Sequence, residues 1–147
     1  MESLKSYIQH RLKQNKFIEY MGIELSGLDQ GHCELTLNIQ DHHLQQNGFT
    51  HGGVTATLCD VATGIAAYTM APAGKNIVTA DLKISYMNPS TAGIIKARGK
   101  VQKAGNFLIF CDGGVYDCFA DGTEKQVATC TAIMCAVDVP LKEPSEN

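Results

Sequence analysis

Between His51 and Met70 the chain places Val54, Ala56, Leu58, Val61, Ala62, Ile65, Ala66, Ala67 and Met70 on nearly every side of a helical projection, with Asp60 as the only charge. A helix that is apolar all round is a buried one. Pro72 and Gly74 end it, and the rest of the 147 residues must therefore form its cover.

The flanking segments supply that cover. Leu4, Ile8 and Leu12, with Tyr7 and Arg11 beside them, follow helical spacing, which predicts a short amphipathic helix over residues 2 to 14 within an N-terminal helical cover spanning residues 1–21. Gly22 to Leu28 and His32 to Ile39 read as a hairpin turned at Asp29-Gln30-Gly31, because Cys33, Leu35, Leu37 and Ile39 alternate with polar partners. A polar loop, Gln40 to Thr50, leads into the helix. Beyond it four strand-like stretches run to Val137, divided by Asn88-Pro89-Ser90, Gly105-Asn106 and Asp121-Gly122. Short turns between successive strands predict an antiparallel meander. Gly113-Gly114 falls inside one of these strands, where it marks a bulge or a close backbone contact. The expected fold is α+β, one domain over residues 1–147, with a strongly curved antiparallel sheet around a long central helix. Residues 140–147, rich in Pro and charge, are expected to be a loose tail.

Charge narrows the function. Twelve Lys and Arg against fifteen Asp and Glu give a net charge of -3, which offers no general attraction to nucleic acid or to anionic lipid. The first twenty residues intersperse charges among apolar positions and so lack the pattern of a secretory signal, and no stretch reaches the apolar length of a membrane span. A soluble, cytoplasmic protein is expected, with neither a nucleic acid nor a membrane as partner. The six cysteines are scattered, without a C-x-x-C pair, and read as small buried hydrophobes. Asp41, His42, His43 and His51 could be drawn as a metal cluster, but adjacent positions project in different directions and no ligand spacing recurs, so no metal site is assigned.

Asp60 demands a reason, since an ionised carboxylate without partners is costly among apolar neighbours. Thr57 or Thr63, one helical turn away on either side, could satisfy it locally. Yet the neighbouring positions Ala56, Thr57, Thr63, Gly64 and Ala67 are all small, which leaves room for a ligand or another backbone. The second candidate element is His51-Gly52-Gly53 at the helix start, where backbone N–H groups lack intrahelical partners and the dipole is positive. Such donors suit an oxyanion. Seven residues separate Gly53 from Asp60, roughly 10 Å along one helix, so the two cannot serve one carbonyl carbon from the same chain. If they act together, the site lies at a two-fold interface between subunits.

The run from His43 to Gly64, with its polar loop, His51-Gly52-Gly53 and an acid nine positions after the His, resembles the hotdog-fold acyl-CoA thioesterases of the PaaI type. Tyr86-Met87-Asn88-Pro89 resembles their aromatic-x-x-Pro strand end, Lys103-Ala104-Gly105-Asn106 their hairpin glycine, and the likeness spans roughly residues 20 to 137. The resemblance implies a hotdog fold, paired into homodimers that commonly double to homotetramers. It implies that Asp60 is the general base or nucleophile, that the Gly52 N–H polarises the thioester carbonyl, and that Thr79, seven residues before the aromatic, helps hold the water. Relatives often carry Asn six residues before the His; here Gln45 stands there, with Asn47 two places later.

The expected activity is hydrolysis of an acyl- or aryl-CoA to free acid and CoA, with no cofactor beyond the coenzyme A of the substrate. His51, Gly53, Asn47, Asn88, Pro89 and Ser90 are candidate substrate contacts, and Phe49, Tyr68 and Met70 are candidates for the acyl pocket. Lys96, Arg98 and Lys100 alternate along one strand and share a face, which makes Arg98 a candidate phosphate anchor. Two other readings stand beside it. A hotdog dehydratase or hydratase would place a His beside a Phe-Pro loop, which this chain lacks; a non-catalytic acyl-CoA-binding regulator would carry a sensory or DNA-binding segment, for which residues 1 to 21 are short.

Overall fold

A computed structural model describes residues 2–138; the expected tail over residues 140–147 lies outside them. The elements in chain order are α1 (Glu2–Gln14), α2 (Lys16–Met21), β1 (Glu24–Asp29), β2 (His32–Asn38), α3 (Gly52–Tyr68), β3 (Asn76–Tyr86), β4 (Ile94–Ala104), β5 (Leu108–Cys118) and β6 (Glu124–Val137). One six-stranded antiparallel sheet has the order β1-β2-β4-β5-β6-β3. It curves around α3, and the fold is the α+β hotdog architecture.

Helix α1, Glu2–Gln14, is the expected N-terminal helix, and a second short helix, α2, follows it. Asn15 breaks them: its side-chain oxygen accepts the Ile18 N–H at 3.2 Å and caps α2. Gly22, at φ 79°, closes α2 in the left-handed region that only glycine enters freely, and strand pairing begins two residues later than expected.

The expected meander holds for β4, β5 and β6 but not for β3. Asn88-Pro89-Ser90 is not a hairpin turn: β3 pairs with β6 at the far edge of the sheet, and the chain crosses the end of the molecule to reach β4 beside β2. The reason is α3. Strands β2 and β3 stand before and after a helix that fills the concave side, so they come down on opposite sides of it.

The core explains how a sheet wraps a helix so closely. Leu58, Cys59, Ala62 and Ala66 of α3 are buried against Leu35 and Leu37 of β2, Ile95 and Ala97 of β4, Val115 of β5 and Cys130 of β6. Many of these side chains are small. At Gly99 of β4 a side chain would run into the backbone of Ala62 and Thr63, with the Thr63 nitrogen 2.7 Å from its first carbon. Gly113 of β5 likewise faces the Arg98 carbonyl at 2.5 Å, and the β4–β5 register does not shift there, so this glycine marks a close contact and not a bulge. Helix α1 lies on the side of α3 that the sheet leaves open, where its residues share a cavity wall with α3 and β3. No helix among the described residues is long and apolar enough to cross a membrane.

Candidate active site

Asp60 is half-buried on α3, and neither neighbouring threonine satisfies it. Thr57 donates its hydroxyl to the Gly53 carbonyl at 2.9 Å, and Thr63 donates to the carbonyls of Cys59 and Asp60 at 2.7 and 3.2 Å. The partner of the carboxylate comes instead from another element: Thr79 Oγ1 donates to Asp60 Oδ1 at 2.6 Å. Strand β3 places it there. Thr79 pairs with Met134, whose side chain is buried on the helix side, so Thr79 faces α3 as well. A bulge at Ala80, between Thr79 and Asp81 in the pairing with β6, bends the strand just beside it. Asp60 and Thr79 lie on the wall of a cavity of about 740 Å³.

At the helix start the orphan donors are sorted by side chains. His51 is the N-cap; its Nδ1 accepts the Gly53 N–H at 2.8 Å, and its carbonyl accepts the Val54 N–H at 2.9 Å. Gly53 is therefore occupied, and the Gly52 N–H is the first-turn donor that lacks an acceptor among the described residues. Tyr86, at the end of β3, donates its hydroxyl to the Gly52 carbonyl at 2.6 Å and fixes the orientation of that peptide. Partial burial, with a smaller contribution from Cys59, holds this phenol above its usual range, so it remains a donor at neutral pH.

The loop before the helix is tied down at both ends. Gln45 accepts the Asn47 backbone N–H through Oε1, which leaves its amide NH₂ as the outward donor. Gln45 lines a second cavity, of about 390 Å³, with Phe49, Gly52, Tyr86, Asn88 and Pro89. Asn47 is exposed and not on that wall. His43 is buried beneath the loop: its Nδ1 accepts the Gln40 N–H at 2.9 Å, its Nε2 donates to the Met21 carbonyl at 2.7 Å, and its own carbonyl accepts the His51 N–H at 2.8 Å. Both ring nitrogens are committed to backbone. Desolvation lowers the pKa of His43, with His42 adding to it and the Met21 hydrogen bond opposing.

Thus the carboxylate with its threonine, and the Gly52 and Gln45 donors, face two different cavities of one chain. Other candidate residues are used elsewhere. Ser90 is buried and donates to Asp117 Oδ1 at 2.6 Å, while the Thr91 and Ala92 N–H groups donate to Oδ2 of the same carboxylate at 2.8 and 3.3 Å. Ser90 also sits 3.2 Å from Thr50 Oγ1, and its carbonyl accepts the Thr50 N–H at 3.1 Å. Asp117, fully buried, thereby anchors the residue that precedes His51. Asn88 donates its side-chain amide to the Gln126 carbonyl at 2.9 Å. Arg98 lies on the outer face of the sheet, where it pairs with Glu34 at 2.9 Å, grips Glu124 through two hydrogen bonds of 2.7 Å, and covers the Tyr116 ring at 4.7 Å. Its charge is neutralised there, and it borders neither site cavity.

Sequence reading missed two supports. Tyr86 was visible only as a strand-end landmark, and Asp117 only as a charge in the inward phase of an apolar strand. The cysteine reading holds for Cys33, Cys59, Cys111 and Cys130, which are buried, whereas Cys118 and Cys135 are only partly so; burial pushes the Cys33 thiol up to about 12, helped by Glu34, and the Cys111 thiol up to about 11, helped by Asp112 and Cys130, so neither supplies a thiolate at neutral pH.

Residues 47–117 match the family described as the thioesterase superfamily. Acyl-coenzyme A thioesterase 13 of Homo sapiens is 31% identical over 111 residues, which cover 74% of this chain and 79% of that protein. A thioesterase family protein from Silicibacter pomeroyi superimposes with a TM-score of 0.86 at 27% identity, over 91% of this chain and 98% of that one. The PaaI protein of the E. coli phenylacetic acid degradation operon shares the fold with a TM-score of 0.76 at 21% identity, over 90% and 94% of the two chains.

Proposed function

The chain belongs to the thioesterase superfamily and is a thioester hydrolase, and from that premise we propose that it hydrolyses acyl-CoA thioesters at a site shared by two subunits, with Asp60 as the attacking-side carboxylate. The observation that carries this reading is the Thr79–Asp60 hydrogen bond on a cavity wall at the edge strand. Strand β3 pairs only with β6 among the described residues, which leaves an 11-residue edge open. Val78 and Tyr86 on it are 44% and 57% exposed, and an open strand of this length is a template for a second copy. A homodimer formed there, alone or as half of a dimer of dimers, would bring the Gly52 end of one α3 to the Asp60 of its neighbour. This meets the distance argument, because one chain holds the two groups about 12 Å apart along the helix.

In this site the thioester carbonyl oxygen accepts from the Gly52 N–H and the Gln45 amide of one subunit. On the general-base route, Asp60 of the other subunit takes a proton from a water that Thr79 helps to hold, and the hydroxide adds to the carbonyl carbon. Negative charge then moves onto the carbonyl oxygen, where the two donors meet it. Collapse of the tetrahedral intermediate breaks the C–S bond, and the departing thiolate takes up the proton that Asp60 accepted from the water, which gives free CoA and restores the carboxylate. On the nucleophilic route Asp60 attacks directly and water releases the acyl group from the anhydride.

The test is coenzyme A release from an acyl-CoA panel by the wild type and by Asp60→Asn. Turnover that disappears in the variant while acyl-CoA still binds supports the reading; turnover that survives removes Asp60 from the chemistry. Binding without release by the wild type would favour the regulator, and reversible hydration of an enoyl-CoA would favour the hydratase. Label in the Asp60 carboxylate after a single turnover in ¹⁸O-water establishes the nucleophilic route with water entering at the Asp60 carbonyl of the anhydride, and trapping of the acyl group by hydroxylamine detects the anhydride whichever carbonyl water attacks.

A further inference from the structure

The cavity of about 740 Å³ beside Asp60 extends well past the groups that meet the thioester. Along α3 its wall is formed by Asp60, Gly64 and Tyr68, spaced four residues apart and so on one stripe of the helix. The stripe is about 12 Å long. At its end opposite Asp60 stand aromatic rings: Tyr68 stacks on the exposed Tyr7 of α1, with centroids 6.3 Å apart and planes inclined by 20°. Between the two ends the walls carry branched aliphatic side chains, Ile8 and Leu12 from α1, Val61 and Ile65 from α3, and Ile77 from β3, beside the polar Asn76 and Thr79 of β3. Its polar lining residues on α1, among them His10 and Arg11, are exposed and form the rim.

Gly64 keeps the middle open. A side chain there would meet only Met134 Cε, at 3.9 Å, so nothing but the absence of a side chain at Gly64 preserves the space. Branched aliphatic walls fit a flexible methylene chain, whereas a flat ring would be better held between flat faces, and here those stand only at the end opposite Asp60. An extended chain spanning about 12 Å has about eight to ten carbons.

We propose that this groove takes an unbranched, medium-length aliphatic acyl chain, with its carbonyl at Asp60 and its methyl end against the Tyr7–Tyr68 pair, which sets the chain length. The assignment rests on the acyl-CoA hydrolase reading and names the acyl class of that site. It also gives α1 a role in specificity, since Tyr7, Ile8 and Leu12 form the wall facing α3.

The experiment is kcat/KM for butyryl-, octanoyl-, decanoyl-, tetradecanoyl- and phenylacetyl-CoA with the wild type, Gly64→Leu and Tyr68→Ala. The wild type is expected to prefer the octanoyl or decanoyl substrate. Gly64→Leu, which fills the middle of the groove and improves helix propensity, lowers the decanoyl-to-butyryl ratio by about tenfold or more. Tyr68→Ala removes the end wall and raises the tetradecanoyl-to-decanoyl ratio by about tenfold. If Gly64→Leu fails to fold, the ratio in Tyr68→Ala decides alone. Hydrolysis with both ratios as in the wild type, or a wild-type preference for phenylacetyl-CoA over every aliphatic chain, overturns the groove assignment while leaving the hydrolase standing. No release from any substrate overturns both.

Discussion

The carboxylate of Asp60 is held by a hydroxyl that arrives from a different element, and this division of labour sets what single substitutions should do. Asp60→Asn keeps the hydrogen-bond geometry but removes the ionised carboxylate proposed as base or nucleophile, so kcat should fall about 10²- to 10⁴-fold, with acyl-CoA affinity measured separately by calorimetry. Thr79→Ala leaves the base but loses a hydrogen bond to a charged group, a loss of about tenfold to a hundredfold that Thr79→Ser should restore. A second residue-scale prediction concerns acid. His43 is held neutral in the folded state, with a pKa below the ordinary histidine value. The unfolded chain therefore binds more protons near and below about pH 6.5. The stabilisation is complete above that pH and is lost as pH falls through the lowered folded value. Urea midpoints followed from pH 7.5 to 5 should drop more steeply for the wild type than for His43→Gln.

At the scale of elements, fit rather than pattern decides stability. Helix α3 lies so close to β4 that Gly99 has no room for a side chain. Gly99→Val should cost about 1–3 kcal/mol by overpacking, read from urea denaturation, whereas Gly64→Leu meets no such obstacle. The loop that ends β3 is fixed by the buried Asp117, which accepts from Ser90, Thr91 and Ala92. Asp117→Ala strands these donors and should lower stability by about 3 kcal/mol or more. Most elements were legible from their periodicity: the all-round apolar α3, the alternating β2 and the glycine turns each carry a local cause. The placement of β3 was not legible. A Pro-containing connection reads as a turn whether the next strand lies beside it or across the sheet, and only the helix occupying the concave side settles which.

For the whole molecule, the proposed two-subunit site predicts complementation. A dimer with Gln45→Ala on one subunit and Asp60→Asn on the other has one site bearing both lesions and one bearing neither. An isolated heterodimer should have about half the wild-type turnover, and an equal mixture of the two weakly active homodimers under free exchange, in which about half of the dimers are mixed, about a quarter. Turnover that stays at the average of the two parents would place the complete site within one chain. This follows from the proposed two-fold site together with the length of helix between Gly52 and Asp60.

What the sequence determined by itself was local and periodic: a buried helix with one charge, glycines at its start, alternating strands, and a motif spacing specific enough to name the fold and the candidate carboxylate. Those features are encoded in neighbours a few residues apart. The tertiary structure decided which groups meet across long separations. Thr79, and neither Thr57 nor Thr63, holds Asp60; Tyr86 steadies the Gly52 peptide; Asp117 anchors the approach to His51; and Arg98, an apparent free cation in the sequence, is consumed by Glu34 and Glu124. The physical reason is the same in each case. A hydrogen bond or ion pair depends on positions fixed to within a few tenths of an ångström, and for residues 19 to 64 apart in the chain only the closed packing of sheet on helix fixes them.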